Sequence, residues 1–460
     1  MDNKVLKSSF WYIFGNILVK GSNIITIPLF TRLLTQEEFG EYNNFVSWSL
    51  ILTIIATLNL DSTVSRARHD FEEDFKGYCK SIIVLGIVNT FFVFCFLIFL
   101  LPLFEQKMEM KYIFLMFAGI IFTPIINIFL YVERLKYNYR MVVIISTLQV
   151  ILNILLSFLL ILIMEDSLLA RIIGVQLSTI IIGIGLLVTV LKDAKKCKIA
   201  TKYWKYAIRI SIPYIPHLLS LNVLNSIDRI MITEYCGAAY TALYSIAYTC
   251  GVGIRLVTSA INVAFEPWMT EKMHQGKYSE VEKQTSNYLL LPILITVIVV
   301  LVAPEILLVL GGKAYLDAES IMLPITLGAF YQFIYTMYVN VEQYEKKTVK
   351  MAIASVSVAV VNYVLNYYFI PLYGYQAAAY TTLFSYFLLM VIHYLIVKSI
   401  GKDKVYNTKF IFKCVCVITL VVFCLKSLLR FVFLRYLSVS LIFGCGAYIA
   451  FKRMSKLRKG

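Results

Sequence analysis

The chain has 460 residues, of which 60% are hydrophobic and only 15% are charged, and its mean hydropathy is +0.77. Soluble globular proteins carry about 25% charged residues, so this composition excludes a soluble globular fold. The net charge of +16 would indicate a nucleic-acid partner in a soluble protein, but in a membrane protein Lys and Arg accumulate in cytoplasmic loops. We therefore expect an all-α polytopic membrane protein that does not bind nucleic acid.

Apolar stretches of about 20 residues, long enough to cross a bilayer, recur about fourteen times. The first lacks the cleavage pattern of a signal peptide and is predicted to be retained as a membrane helix. The predicted spans are residues 10–31, 42–60, 79–101, 111–132, 142–163, 168–190, 210–232, 241–264, 286–303, 321–340, 351–370, 376–397, 408–427 and 431–451.

The distribution of Lys and Arg predicts the orientation in the membrane. With the N-terminus inside, roughly 32 of these residues fall in cytoplasmic segments and roughly 8 outside, which is the expected bias. Both termini are therefore predicted to be cytoplasmic. The most basic segment, KDAKKCKIATKYWKYAIR at residues 192–209, joins the sixth and seventh spans.

An internal repeat relates the two halves of the chain. YVERLKYNYRM, which begins at Tyr131, resembles VEQYEKKTVKM, which begins at Val341, and Asn153 and Asn362 follow at matching positions. An offset of about 210 residues and an even number of spans per half indicate a parallel repeat. We predict four parts: an N-terminal lobe of six spans (1–190), a cytoplasmic basic linker (191–209), a C-terminal lobe of six spans (210–397), and a C-terminal helix pair with a basic tail (398–460).

The seventh and eighth spans carry charges that are costly in a bilayer. Asp228 and Arg229 lie in the seventh and Arg255 in the eighth, and a charge at membrane depth costs roughly 3 kcal/mol unless it faces protein or water. Polar residues occupy one face of each span at helical spacing. We interpret both helices as walls of an aqueous cavity. The polar faces comprise His217, Asn222, Asn225, Asp228 and Arg229 in one span and Tyr244, Tyr248, Gly251, Arg255, Asn262 and Glu266 in the other.

Motifs of the common enzyme classes are missing. The sequence contains no GxxxxGK[ST], GxSxG or HExxH pattern. The four histidines are far apart, and the nine cysteines form no CxxC pair. We therefore predict no metal site, no cofactor and no enzymatic activity, and we expect a protein that moves a substrate across the membrane.

Three segments carry a family resemblance that extends over essentially the whole chain. They are SSFWYIFGNILVKGSNIITIPLFTRLLTQEEFGEYNNFVSW, IPYIPHLLSLNVLNSIDRIMITEY, and GGKAYLDAESIMLPITLG. In order and spacing the chain resembles Wzx-type polysaccharide repeat-unit flippases, of the same superfamily as the MATE drug antiporters and the peptidoglycan-precursor flippase. This resemblance implies fourteen helices, arranged as two pseudo-symmetric six-helix lobes around a central cavity plus a C-terminal pair.

The resemblance also implies a function in the bacterial plasma membrane. Such flippases move oligosaccharide repeat units on undecaprenyl pyrophosphate from the inner to the outer leaflet for surface polysaccharide synthesis. Without a nucleotide site, alternating access would be driven by an ion gradient or the membrane potential. The expected partners are the lipid-linked oligosaccharide, membrane lipids, and polysaccharide polymerase and chain-length proteins.

A pyrophosphate cargo directs attention to cations inside spans, because Lys and Arg are its natural partners. Lys20, in the first span beside Asn16 and Asn23, and Arg255, in the eighth, are our candidate cavity cations. Arg229 and Arg66 are further candidates. For each cation the alternative is a structural role, either in a pair with a buried acid or at the membrane surface.

Four residues are candidate ion or proton carriers: Asp228, Glu266, Asp61 and His217. Asp228 has an alternative role as the local partner of Arg229. Asn362 and Asn366, one turn apart, would offer amide oxygens to an ion or hydrogen bond between helices, and we favour the second role. His393 is expected to be structural.

Two other functions remain open. A MATE-type cation-coupled drug antiporter would share the fold, but the basic residues within spans do not suit organic cations. A membrane glycan polymerase or glycosyltransferase would be expected to have a large outer loop, whereas the predicted outer loops are short.

Overall fold

The structure is a computed structural model that describes residues 26–100, 109–428 and 431–441, and these residues contain helices and no strands. Residues 26–33 are helical at the edge of the first described range. The helices that follow are α1 (Gln36–Thr57), α2 (Val64–Asp70), α3 (Phe75–Leu100), α4 (Met110–Ile120), α5 (Thr123–Leu135), α6 (Tyr139–Ile163), α7 (Ser167–Asp193), α8 (Thr201–Ser211), α9 (Ile215–Cys236), α10 (Ala238–His274), α11 (Tyr278–Leu301), α12 (Ala303–Leu310), α13 (Glu319–Tyr344), α14 (Thr348–Tyr373), α15 (Tyr375–Ser399), α16 (Thr408–Leu428) and α17 (Val432–Leu441).

The apolar helices confirm an all-α multi-pass membrane protein. Among the described residues, 11 helices are long and apolar enough to cross a membrane, or up to 12 if a bent pair counts as one span. They correspond to the second through thirteenth predicted spans. The predicted spans 10–31 and 431–451 lie largely outside the described residues, so the total of fourteen is not confirmed.

The bent pair is the second predicted span. Helix α1 is followed by Leu58 and Asn59, which both have positive φ (52° and 47°). The chain then continues through a 3-10 turn that leads into α2. The two segments meet at 47°. Left-handed residues outside glycine are uncommon and end the helical hydrogen-bond ladder, so they produce this bend.

The chain divides into two compact units, Met1–Ala242 and Leu243–Gly460. In the first unit, α6 packs along α7, and α9 packs against α1. The predicted basic linker is partly helical here, because residues 201–209 belong to α8. Tyr203 and Tyr206 of α8 donate hydrogen bonds to Asp74 and Asp70 at 2.6 Å each, and the Trp204 indole donates to the Ser81 carbonyl at 2.8 Å. These contacts hold the linker against α2 and α3.

The second unit is built around α13. In the most apolar 18-residue stretch of this span, 78% of the residues are buried. The corresponding share in α6 is 17%, so most of α6 is exposed. Helix α15 packs along α13 and α14. Arg435 of α17 is buried and makes a two-pronged ion pair with Glu305 of α12, at 2.8 and 2.9 Å, which attaches α17 to this unit.

Helix boundaries recur between the two halves. The segment Met110–Leu135, which contains α4 and α5, matches α13, and α6 matches α14, both at an offset of about 209 residues. Both α5 and α13 end in the same turn, in which Tyr137 (φ 57°) and Lys346 (φ 56°) are left-handed. In both turns the next amide donates to a glutamate carbonyl, Glu133 at 2.9 Å and Glu342 at 2.8 Å. These matches accord with the predicted repeat.

Close packing of α6 on α7 makes a specific prediction. A Cβ on Gly174 of α7 would lie 2.5 Å from backbone atoms of Ser157, whereas a Cβ on Gly185 of the same helix would meet nothing within 4 Å. Because backbone cannot move aside as a side chain can, Gly174→Ala should lower the free energy of unfolding by about 1–3 kcal/mol. Thermal unfolding in detergent measures this. Gly185→Ala is the control, and an equal loss in both variants would contradict the packing argument.

Candidate functional site

Arg255 lies near the middle of α10, in the second unit, where a cation would be at membrane depth. Its guanidinium carbon lies 4.5 Å from the centroid of the Tyr248 ring, two turns earlier on the same helix. The side chain passes over Gly251, where an added Cβ would lie 3.4 Å from Arg255 Nη1 and 3.1 Å from Ile325. Gly251 therefore provides the room for the guanidinium to fold back onto the ring.

One tyrosine ring contacts this guanidinium and two more lie within electrostatic range of it. Tyr248 stacks on Tyr244 with 6.0 Å between ring centroids, and both are buried. Tyr335 of α13 and Tyr386 of α15 lie within electrostatic range of Arg255, and Tyr386 hydrogen bonds with Tyr248. We refer to Arg255, Tyr248, Tyr335 and Tyr386 as the Arg255 cluster. An arginine on an aromatic face is held in position while its N–H groups stay available.

Arg255 is half-buried, and within the described part of the chain no carboxylate lies in salt-bridge distance of it. A guanidinium offers five N–H donors in a planar fork that matches the oxygens of carboxylates and phosphates. The Arg255 cluster therefore has the chemistry of a receptor for an anion.

Asn262 and Glu266 lie two and three turns further along α10 than Arg255. The Asn262 amide oxygen accepts hydrogen bonds from Tyr288 Oη at 2.6 Å and from Asn340 Nδ2 at 2.7 Å, so this residue ties α10 to α11 and α13. Glu266 is half-buried and within electrostatic range of Tyr288 and Tyr406. The polar face predicted from the sequence thus divides into the Arg255 cluster and an interhelical network.

The candidates on α9 belong to the first unit. Asp228 is fully buried, while Arg229 is half-buried and donates from Nη1 to the Asn225 carbonyl at 2.9 Å. The His217 ring stands edge-on to Tyr214 at 5.8 Å. The predicted Asp228–Arg229 pair and the carrier roles of Asp228 and His217 stay predictions.

Two candidates lie at the end of the second span. Arg66 is exposed and pairs with Asp70 at 3.5 Å, one turn along α2. Exposed pairs of this kind contribute little, so Arg66 is free to change partners. Asp61 sits in the 3-10 turn, half-buried, within electrostatic range of Arg134. Lys20, Asn16 and Asn23 lie outside the described residues.

Sequence reasoning missed Arg171 of α7, the most deeply buried cation among the described residues of the first unit. Its Nη1 donates to Asn153 at 2.7 Å and to Ser157 at 2.6 Å, and its Nη2 donates to Tyr42 at 3.2 Å. Its guanidinium carbon lies 3.6 Å from the Phe30 ring centroid. Neutral acceptors and aromatic faces replace a carboxylate partner here, and they fasten α1, α6, α7 and the residue 26–33 helix together.

The equivalent place in the second unit holds neutral residues. Asn362 donates to Thr382 at 3.3 Å and to Ser385 at 3.2 Å, Asn366 donates to Asn362 at 3.3 Å, and the Thr381 hydroxyl donates to Asn366. These bonds join α14 to α15, as the interhelical role predicts. Among the described residues no group of three or more His, Cys, Asp or Glu is placed to hold a metal ion.

The sequence also does not predict the contact between a buried carboxylate and a buried imidazole. Glu342 of α13 and His393 of α15 are fully buried, with 2.8 Å between Glu342 Oε1 and His393 Nδ1. The sequence marks His393 as structural and does not single out Glu342, because a charge at a helix end is ordinary.

Comparisons with known proteins give the family and the fold. Residues 5–273 match the family model described as polysaccharide biosynthesis protein, and residues 213–368 match the MatE model. An uncharacterized membrane protein of Haemophilus influenzae is 22% identical over 365 residues, covering 76% of this chain and 87% of the relative.

Solved structures share the architecture at low sequence identity. The lipid II flippase MurJ in an inward closed conformation superposes with a TM-score of 0.71 at 15% identity, covering 98% of this chain and 99% of the other. An inward-facing multidrug resistance MATE transporter of the MOP superfamily gives 0.57 at 14% identity, covering 83% and 94%. These neighbours are transporters and flippases rather than enzymes. The chain thus belongs to the polysaccharide biosynthesis protein family and has the fold of the MOP-superfamily transporters and flippases.

Proposed function

We propose that this protein is a flippase that moves oligosaccharide repeat units, linked to undecaprenyl pyrophosphate, from the inner to the outer leaflet of the bacterial plasma membrane. The observation that carries the proposal is Arg255, a half-buried cation in the middle of a membrane helix, for which the described residues offer no carboxylate in salt-bridge range. A cation in that position is costly unless it meets an anion or water. The pyrophosphate of the cargo is such an anion.

The family and its neighbours support a lipid-linked cargo. The family takes its description from polysaccharide biosynthesis, and the flippase that superposes over nearly the whole chain is named for lipid II. Arg255 would bind the pyrophosphate, while Arg229, Arg66 and Lys20 would meet it at other stages of its passage. The tyrosines around Arg255 offer ring faces to sugars.

Energy for the movement would come from an ion gradient or the membrane potential. Glu266, Asp228, Asp61 and His217 are carboxylate and imidazole groups at or near membrane depth that suit binding of a cation or a proton. Both termini would lie in the cytoplasm. Cargo delivered to the outer leaflet would meet polysaccharide polymerase and chain-length proteins there.

A MATE-type antiporter is the second candidate, because residues 213–368 also match the MatE model. The positive charge of the Arg255 guanidinium would repel an exported organic cation. The cationic character of the Arg255 cluster therefore favours the anionic lipid.

Disruption of the gene tests the function. We expect loss of the surface polysaccharide and accumulation of its lipid-linked repeat unit, accessible only from the cytoplasmic side. A plasmid copy should restore the polymer. Normal polymer and no accumulated intermediate, in a strain without a second flippase gene, would contradict the proposal.

A further inference from the structure

A cavity of about 260 Å³ opens in the first unit, at the end of the helices where α3 begins and α5 and α7 end. The function proposed above does not use it. Because these helices are apolar spans, the cavity opens at the membrane surface, on the cytoplasmic side in the predicted orientation. Small-molecule pockets usually measure about 300–1,000 Å³. This cavity therefore has room for a small headgroup and not for an oligosaccharide repeat unit.

The lining of the cavity changes with depth. Charged side chains lie at the helix ends, whereas Ile83, Ile128 and Phe129 lie about two turns deeper, roughly 10 Å along the helix axes. Ile83 and Ile128 are almost fully buried. A ligand that fits this lining has a charged group at the membrane surface and an apolar chain toward the membrane interior, as a phospholipid does.

The charged rim of the cavity carries both signs. Its cations are Arg68, Lys76 and Lys136, and its acids are Glu72, Glu73, Glu133 and Asp193. Lys136 is paired with Glu133 at 2.6 Å. Apart from that pair, none of these charges has an ion-pair partner within the described residues. The rim therefore offers cations and carboxylates side by side, which suits a ligand that itself bears both charges.

Hydrogen bonds fix one wall of the cavity. Lys80 of α3 donates from Nζ to the carbonyls of Ala194 at 3.3 Å and Cys197 at 3.0 Å, just beyond the end of α7. Ala194 itself lines the cavity. The end of α7 is thus held against α3, and the wall between them is part of the folded structure.

The segment that leads from this wall into α8 corresponds to the segment that leads into α16 in the second unit. The backbone N–H of Ala200, just before α8, donates to Ser81 Oγ of α3 at 3.2 Å. The backbone N–H of Asn407, just before α16, donates to Thr285 Oγ1 of α11 at 3.1 Å. The shared contact aligns the two segments residue by residue.

In this alignment the second unit fills the equivalent space with its own chain. Tyr406 is 2% exposed, and its ring centroid lies 6.3 Å from that of Tyr338. Tyr338 corresponds to Phe129 at the offset of 209 residues, and Tyr406 corresponds to Ile199, which is 48% exposed. Phe129 therefore lines an open cavity where its counterpart is covered by a tyrosine.

We propose that this cavity binds the headgroup of a zwitterionic phospholipid with a primary ammonium, such as phosphatidylethanolamine. The phosphate lies beside Arg68 and Lys76, the ammonium donates to Glu72, Glu73 and Asp193, and an acyl chain follows the apolar depth of the cavity. The carboxylates oppose a purely anionic headgroup, and a quaternary ammonium has no N–H to donate to them. The site does not rest on the proposed function.

Native mass spectrometry of the purified full chain in detergent tests the site. Dioleoyl phosphatidylethanolamine, phosphatidylglycerol and phosphatidylcholine are added at equal concentrations, and the bound lipid is counted. We expect the ethanolamine lipid to bind more tightly than either of the others by about fivefold or more, because it alone satisfies both signs of charge with hydrogen bonds.

Two variants locate the binding. Lys76→Gln and Asp193→Asn each remove one charge of the rim, and each should lower the affinity for phosphatidylethanolamine by about fivefold. Both side chains are exposed, so neither substitution should disturb folding. Lys205→Gln and Glu165→Gln remove exposed charges outside the cavity and should leave the affinity unchanged.

Equal binding of the three lipids would overturn the proposal, and so would an affinity that survives both rim variants. Tighter binding of phosphatidylglycerol would contradict the zwitterionic headgroup. Displacement of the lipid by soluble phosphoethanolamine at a similar concentration would assign the cavity to a soluble ligand and contradict the lipid. No glycan takes part in these measurements, so their outcome is separate from that of the proposed function.

Discussion

Arg255→Ala is expected to reduce transport by about 30- to 1,000-fold while leaving the folded protein intact. Charge-assisted contacts to a desolvated anion typically contribute about 2–4 kcal/mol, and alanine removes all of them. Arg255→Lys should retain part of the activity, because lysine keeps the charge but loses the planar fork. The measurement is recovery of surface polysaccharide in a strain that lacks the gene, at equal protein level.

The control for Arg255 is Arg209→Ala, which removes one positive charge from an exposed position on α8. It should support normal polysaccharide synthesis. Full activity of Arg255→Ala would exclude this residue from the binding site. Equal loss in both variants would mean that net charge, rather than the place of the charge, is required.

Arg171→Ala is expected to have the largest effect on stability. The substitution removes the hydrogen bonds that Arg171 donates to Asn153, Ser157 and Tyr42 and opens a space against the Phe30 ring. Loss of these hydrogen bonds, with the space left by the buried guanidinium, should lower the free energy of unfolding by roughly 3 kcal/mol. Thermal unfolding in detergent measures it.

Arg140→Ala is the comparison for Arg171, since Arg140 is exposed on the neighbouring helix α6. Its free energy of unfolding should change by less than about 0.5 kcal/mol. Unchanged unfolding of Arg171→Ala would show that the desolvation of this cation costs as much as its contacts contribute.

Much of the fold follows from the sequence because the bilayer restricts what a span can be. Runs of about 20 apolar residues must be helices, since lipid offers no partner to backbone groups. The bend after α1 is harder to foresee, because it depends on left-handed Leu58 and Asn59, and neither is a glycine. The sequence predicts a basic linker where the structure has helix α8, because the Lys and Arg of this segment obscure the spacing of Tyr203, Trp204 and Tyr206.

The candidate site was only partly predictable. Arg255 stands out in the sequence because it lies far from either end of its span. Arg171 lies four residues into its helix, where an arginine ordinarily reaches the membrane surface, and only the folded positions of Asn153 and Ser157 reveal its burial. The pair Glu342–His393 has a sequence separation of 51 residues, so only the packing of α13 on α15 brings its two members together.

The central claim is movement of a lipid-linked anionic glycan, and a vesicle assay tests it most directly. Purified protein is reconstituted with a fluorescent oligosaccharide on a long-chain polyprenyl diphosphate, and a membrane-impermeant reductant reports the fraction in the outer leaflet. We predict that the reductant reaches the lipid of both leaflets when the protein is present and only the outer half when it is absent or replaced by Arg255→Ala. An accessible fraction equal to that of protein-free vesicles, with transport of an organic cation in its place, would contradict the account.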